Sequence, residues 1–175
     1  GARTIRAIQR ADAVTIARVQ GHAIGGGFGL MLACDLRYAT EDALLYLPEL
    51  DLGNPVPWGL TPILIASVGA AVAKELVLLA DMLDAERARE MGLVNRVVPR
   101  SKLDTVVEEF VSKLKAGPPI ALATSKKLLN QSFTSTLEEA LEAEGIGQAY
   151  QFTTADTVEA MMAFVEKRDP RFTGR

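Results

Sequence analysis

The feature that most constrains the fold of this chain is a glycine-rich stretch, GHAIGGGFG, over residues 21–29. An apolar run typical of a β-strand, VTIARV, precedes it, and an apolar run typical of a helix, LMLAC, follows it. Glycine permits backbone conformations and close approaches that a side chain prevents. The stretch therefore predicts a strand-to-helix turn whose exposed N–H groups bind negative charge, either a fixed anion or one that develops during a reaction.

Two glycine-rich nucleotide-binding motifs do not fit this stretch. Leu30 stands where the dinucleotide fingerprint needs its third glycine. Phe28 and Gly29 stand where a phosphate-binding loop needs lysine and then serine or threonine. A purely structural alternative stays open, in which the glycines only let a helix pack closely against a sheet.

Composition excludes several classes of function. With 175 residues, of which 49% are hydrophobic, the chain can bury the core of one domain, with or without a small appendage. A net charge of −3 gives no field that would attract nucleic acid. The longest apolar run, residues 23–34, is broken by glycines and is too short to span a membrane, and the start of the chain does not resemble a secretion signal. We expect a soluble, cytoplasmic protein without a metal site, because no His, Cys, Asp and Glu cluster has ligand spacing.

Hydrophobic periodicity predicts an α/β chain with two regions. Residues 1–98 begin with a short helix that carries Ile5 and Ile8 on one side, followed by a strand through Val14, Ile16 and Val19. A β-α-β crossover and an irregular proline-rich loop come next, and 99–175 are helical. The predicted helices are 28–34, 60–68, 70–80, 85–91, 102–115, 119–130, 136–150 and 154–167, and the predicted later extended segments are 35–40, 44–47 and 93–99. Helix N-terminal signals occur at Ser101 and Thr136.

Several segments, in order along the whole chain, resemble the enoyl-CoA hydratase/isomerase (crotonase) family. The string VQGHAIGGGFGLMLACDLRYAT is similar to the family's oxyanion-hole stretch, and PELDLG, AREMGLVNRVVP and EAMMAFVEKRDPRF match later segments. The resemblance implies an α/β fold, namely a crotonase-like ββα spiral core followed by a C-terminal helical trimerisation region. It also implies acyl-CoA thioester substrates, a homotrimer or a hexamer built as a dimer of trimers, and no cofactor besides the CoA of the substrate.

The same resemblance assigns the Gly26 N–H as one of two donors to the thioester oxygen. In the family the second donor comes from a loop well before this strand, but only thirteen residues precede Val14. We therefore expect either that the chain lacks the family's N-terminal part or that the oxyanion hole is incomplete. His22, Ala23 and Gly25, beside the donor, are expected to bind substrate.

The resemblance assigns proton transfer to Glu49, with a solvated loop carboxylate as the alternative. Family hydratases resemble one another in having two glutamates, and here the first of the two positions is Gly29 while the second is Glu49. A single base is enough to move a double bond from C3–C4 to C2–C3. The sequence therefore predicts enoyl-CoA isomerase chemistry in fatty acid metabolism, with hydration of trans-2-enoyl-CoA as the alternative. A non-catalytic acyl-CoA-binding or assembly subunit is the alternative of another class.

The remaining candidates are substrate-binding residues with structural alternatives. Leu52, Pro57 and Trp58 lie in a loop that is similar to the apolar loop of some isomerases; Leu52 and Trp58 are expected to line an acyl pocket, with a core role as the alternative. Phe164 and Lys167 match positions that touch CoA across a subunit boundary, and a solvated amphipathic helix is the alternative. Asp51 is a candidate replacement for the missing acid, with a surface charge as the competing interpretation.

Overall fold

The computed structural model describes residues 1–175, and it shows an α/β chain composed of two compact units. The first unit contains Gly1–Arg10 and Thr15–Glu108, and the second contains Ala11–Val14 and Glu109–Arg175. The division at Glu108 lies inside a helix, whereas the sequence predicts a boundary between residues 98 and 99. That domain boundary stays a prediction.

The elements follow the order expected from the sequence, with strand and helix alternating first and helices alone last. The strands are β1 (Ile16–Val19), β2 (His22–Ile24), β3 (Leu36–Thr40), β4 (Leu44–Tyr46), β5 (Leu83–Asp84) and β6 (Arg96–Val98). The helices are α1 (Ala2–Arg10), α2 (Gly26–Ala33), α3 (Leu60–Leu79), α4 (Ala85–Glu90), α5 (Leu103–Lys115), α6 (Pro119–Ser132), α7 (Leu137–Gln151) and α8 (Ala155–Glu166).

The six strands of the first unit form two three-stranded sheets, and β1 to β4 alternate between them along the chain. One sheet has the order β1-β3-β6 and is parallel throughout, and the other has the order β2-β4-β5, with β2 and β4 parallel and β5 antiparallel. Helix α2 lies between β1 and β3 along the chain, which confirms the predicted crossover. Strand β2, inside the glycine-rich stretch, is not predicted from the sequence, because its three residues give no periodicity to detect.

The core of the first unit forms around α2. Phe28, Met31 and Leu32 of this helix are buried, together with Leu45 of β4 and Leu60 of α3. Since α2 is apolar on all sides, it can pack against several elements at once.

Arg37 of β3 holds the C-terminal end of α2. Its guanidinium donates to the carbonyl oxygens of Cys34 (2.9 Å), Leu32 (3.3 Å) and Leu93 (2.6 Å). Burial lowers the pKa of Arg37, partly offset by the neighbouring Cys34 and Asp35. A cation at a helix C-terminus interacts favourably with the helix dipole, so this residue fixes α2 at the end opposite the glycines.

Helix caps in the second unit and at its border agree in part with the sequence signals. Thr136 forms the predicted capping box of α7. Its side chain accepts from the Glu139 N–H, and the Glu139 carboxylate accepts from the Thr136 N–H. The signal at Ser101 was wrong as a cap, because Ser101 lies inside a short 3-10 helix, Arg100–Lys102, that leads into α5. In this chain the local helical turn replaces a side-chain cap.

Helix α3 carries a break at Gly69, whose backbone is extended with a positive φ (φ 79°, ψ 162°). The two helices predicted on either side of this residue are therefore confirmed. By length and composition α3 is apolar enough to cross a membrane, with a mean hydropathy of 1.9. A core helix of a soluble protein meets the same criterion. The break at Gly69 divides it into two segments that are each shorter than a bilayer requires.

Gly69→Ala should lower the free energy of unfolding by about 1–3 kcal/mol, because only glycine adopts this backbone conformation without strain. Gly145→Ala is the matched control, since an added Cβ meets nothing within 4 Å at either position. Gly145 lies inside α7, where alanine should stabilise by about 0.5–1 kcal/mol. Urea unfolding of the two variants checks the opposite signs; equal effects would contradict the role given to Gly69.

Candidate active site

The glycine-rich stretch contains the predicted strand-to-helix turn, but the turn into α2 starts from β2 and not from the predicted strand β1. Gly25 is the N-cap, with φ 50° and ψ −109°, and no side chain caps the helix. The Gly25 N–H donates to the Tyr46 carbonyl (2.9 Å), and the Gly29 N–H donates to the Gly25 carbonyl (2.9 Å). The first N–H groups of a helix, here beginning at Gly26, have no acceptor within that helix. This terminus therefore suits a negative charge.

Glu49 lies beside this helix terminus. Its Oε1 is 3.4 Å from the position that a Cβ on Gly25 would occupy, and the Pro48 ring is 3.8 Å from the same point. Its Oε2 is buried and has no hydrogen-bond partner in the protein. A buried polar atom without a partner is unfavourable unless a bound group satisfies it. A carboxylate oxygen that can still accept a hydrogen bond therefore lies beside the N-terminus of α2.

Gly29, where family hydratases are expected to have their first glutamate, has no room for a side chain. An added Cβ would lie 2.7 Å from Leu60 Cδ1 and 3.3 Å from Leu60 Cδ2. Leu60 is only 1% exposed, so its side chain cannot move freely away. A leucine thus fills the space next to the position of the absent carboxylate.

The proline-rich loop brings Trp58 to Gly26. Two atoms of the indole ring are 3.0 and 3.1 Å from the position that a Cβ on Gly26 would occupy. Trp58 itself has a left-handed backbone (φ 67°) and is 40% exposed. Pro57 is half-buried and Leu52 is 71% exposed. The predicted acyl-binding roles of Leu52, Pro57 and Trp58 stay predictions, with Trp58 placed beside the expected donor.

His22 and Ala23 line a different space from Glu49. They line a cavity of about 400 Å³. Its other lining residues include Val19 of β1 and Gly27 and Met31 of α2. Ala23 is buried and His22 is exposed. The predicted site residues of the first unit therefore lie in two places. His22 and Ala23 line this cavity with Gly27, whereas Glu49 and Trp58 lie beside Gly25 and Gly26.

Phe164 and Lys167 belong to the second unit. Phe164, on α8, is 85% exposed. Lys167 ends that helix in a left-handed conformation (φ 54°), and its N–H donates to the carbonyl oxygens of Ala163 and Phe164. Their expected contacts with CoA stay predictions.

Tyr46 is a residue of the site that the sequence did not reveal. Its hydroxyl donates to the carboxylate of Asp51, and the segment between them contains Glu49. This bond, together with burial and the charges of nearby carboxylates, raises the pKa of Tyr46. Asp51 is exposed, and the hydrogen bond gives it a partner that neither sequence interpretation included. A tyrosine and an aspartate five residues apart around a Pro-Glu pair were the available signal.

Comparison with known proteins identifies the family of this chain. The family described as "Enoyl-CoA hydratase/isomerase" matches residues 2–175. The chain belongs to the enoyl-CoA hydratase/isomerase family. The structure resembles that of an enoyl-CoA hydratase from Bacillus anthracis with a TM-score of 0.96 and 33% identity, covering 99% of this chain and 67% of the other. The family and the crotonase-like α/β fold expected from the sequence are thus confirmed.

Curated relatives of this chain carry hydratase names. The chain is 35% identical over 170 residues to the short-chain-enoyl-CoA hydratase of Clostridium acetobutylicum, covering 96% of this chain and 64% of the relative. It is 33% identical over 175 residues to the crotonyl-CoA hydratase of Syntrophomonas wolfei, covering 100% of this chain and 67% of the relative. The chain therefore spans about two thirds of the length of these relatives.

Gly29→Ala should lower the free energy of unfolding by about 1–3 kcal/mol, because the added methyl group overpacks against Leu60. Gly27→Ala is the matched control in the same helix turn, where an added Cβ meets nothing within 4 Å. Combining Gly29→Ala with Leu60→Ala should cost less than the sum of the two single changes. Thermal and urea unfolding give these values. Strict additivity would show that Leu60 does not fill the space at Gly29.

Proposed function

We propose that this chain carries the enolate-forming site of an acyl-CoA enzyme, in which the Gly26 N–H stabilises the thioester oxygen and Glu49 transfers protons. The observation that carries the proposal is the buried, unpartnered Oε2 of Glu49 beside the uncapped N-terminus of α2. Membership of the enoyl-CoA hydratase/isomerase family supports an acyl-CoA thioester as the substrate class.

The chemistry requires both features at once. When a base removes a proton from C2 of an acyl-CoA, the electron pair of that C–H bond moves towards the thioester oxygen and gives an enolate. Preorganised N–H donors stabilise this developing negative charge, and removing one such donor typically costs about 3 kcal/mol of transition-state stabilisation. Glu49 is the carboxylate that lies beside Gly25, the residue before the proposed donor, so it is the proposed base.

Isomerisation is the finer reaction that the geometry supports. Glu49 would take a proton from C2 of a 3-enoyl-CoA and return it to C4, while the double bond moves to C2–C3. One carboxylate is sufficient for this transfer. The absence of a side chain at Gly29, with Leu60 filling the adjoining space, supports single-carboxylate chemistry.

Hydration is the second candidate, and the comparisons support it better than isomerisation. The relatives named above are hydratases, and so is the Bacillus anthracis protein of the similar structure. In hydration, water adds its oxygen to C3 of a trans-2-enoyl-CoA and a proton is delivered to C2. Glu49 would then have to activate the water without the second glutamate that the family resemblance assigns to hydratases.

The second oxyanion donor, the oligomer and the location of the protein are further parts of this proposal. We propose that a segment outside this chain supplies the second donor, because the chain spans only about two thirds of its relatives. We also propose that the protein forms a homotrimer or a hexamer, as the family resemblance implies. A cytoplasmic location is proposed from the sequence composition.

Glu49→Gln should lower the rate of acyl-CoA conversion by at least about 100-fold, because an amide cannot accept or return the proton. The measurement is the conversion of a trans-3-enoyl-CoA to the conjugated trans-2 form, followed by absorbance. Glu41→Gln is the matched control, since Glu41 is also a glutamate close to a strand end but is exposed. Equal rates for Glu49→Gln and Glu41→Gln would remove Glu49 from the mechanism.

The two finer reactions separate when both substrates are given to the unmodified protein. Isomerisation predicts conversion of the trans-3 substrate with a kcat/KM clearly higher than that for hydration of the trans-2 substrate. Hydration of the trans-2 substrate at comparable or higher efficiency would overturn the inference from Gly29 and establish the hydratase candidate. Glu49→Gln should abolish whichever reaction is found.

A further inference from the structure

A hydrogen bond joins Tyr46 and Asp51, which lie on either side of Glu49 in the chain. Tyr46 is the last residue of β4, and Asp51 lies in the turn that follows Glu49. The hydrogen bond to Asp51 is also the largest cause of the raised pKa of the Tyr46 hydroxyl. The bond therefore joins the end of the strand to the far side of the turn that carries the proposed base.

The other hydrogen bonds of this turn are internal to it. The Glu49 carbonyl accepts from the N–H groups of Leu52 (3.2 Å) and Asn54 (2.8 Å), and the Leu50 carbonyl accepts from Gly53 (2.9 Å). These bonds define the shape of the turn, but they do not attach it to the sheet. The Tyr46 hydroxyl makes that attachment through a side chain.

Tyr46 is also tied to the helix terminus that is expected to hold the thioester oxygen. Its carbonyl accepts the Gly25 N–H at 2.9 Å, immediately before the proposed donor, Gly26. It is paired in register with Ile24 of β2. One residue thus contacts both halves of the site, through its backbone on the α2 side and through its hydroxyl on the Glu49 side.

We propose that Tyr46 and Asp51 are positioning residues that fix the Glu49 carboxylate relative to the N-terminus of α2. This inference rests on the proposed function, since it gives the two residues a role in the same proton transfer. A misplacement of about 1 Å can reduce the rate of an enzymatic reaction by about 100-fold. The hydrogen bond limits such displacement while leaving Glu49 Oε2 without a partner.

Tyr46→Phe removes the donor and keeps the ring, so kcat should fall by about ten- to 100-fold with KM nearly unchanged. Asp51→Leu should have a similar effect, whereas Asp51→Asn retains an acceptor oxygen and should keep most of the activity. The double variant, Tyr46→Phe combined with Asp51→Leu, should be no slower than either single variant, because the two residues act through one bond. Asp81→Asn is the control, since Asp81 influences Tyr46 by charge alone.

Each other outcome of these assays overturns the inference. Loss of activity in Asp51→Asn equal to that in Asp51→Leu would show that Asp51 transfers protons itself. Additive losses in the double variant, or an equal fall in Asp81→Asn, would show that the hydrogen bond is not the cause. An unchanged kcat in Tyr46→Phe would remove the positioning role altogether.

Crystal structures of the unmodified protein and of Tyr46→Phe decide the inference independently of activity. A displaced Glu49 carboxylate in the variant, with α2 unchanged, would support it, and an unmoved carboxylate would overturn it. If the unmodified protein converts neither enoyl-CoA, the proposed function fails, while the structures still show whether Tyr46 positions Glu49. The two failures are therefore distinguishable.

Discussion

The N-terminus of α2 is the constraint on which the rest of the site depends. A helix that begins with glycines and has no side-chain cap leaves its first N–H groups available to a ligand. This arrangement is stable only if the helix is held by other contacts. Arg37 at its C-terminal end and the buried Phe28, Met31 and Leu32 along its length provide them. The apolar core therefore keeps an otherwise unsatisfied helix terminus in place.

Close approach is the second physical theme of the site. Glu49, Trp58 and Leu60 each lie near the place where a side chain on one of the three glycines Gly25, Gly26 and Gly29 would begin. The glycines thus do more than allow a tight turn, because they make room for other residues to reach the helix terminus. The hydratase names of the relatives and the filled space at Gly29 favour different reactions for the proposed acyl-CoA site.

Much of this arrangement could be predicted from the sequence. The turn into α2, the break at Gly69 and the Thr136 capping box are local features, set by glycine and by hydrogen bonds between residues close in the chain. The cap at Ser101 was wrong because a competing 3-10 turn forms there. Strand β2 was missed because it is too short to show a period and is defined by its pairing with β4.

The sequence by itself determined the family, the fold class and the identity of Gly26 and Glu49 as candidates, because these follow from residue type and order. Only the tertiary structure decided that Glu49 Oε2 is buried without a partner, that Leu60 fills the space at Gly29 and that Tyr46 bonds to Asp51 around the proposed base. Burial and close packing depend on residues from separate elements meeting in space. Leu60 of α3 and Gly29 of α2 are far apart in the chain, so nothing in their local sequence shows that they touch.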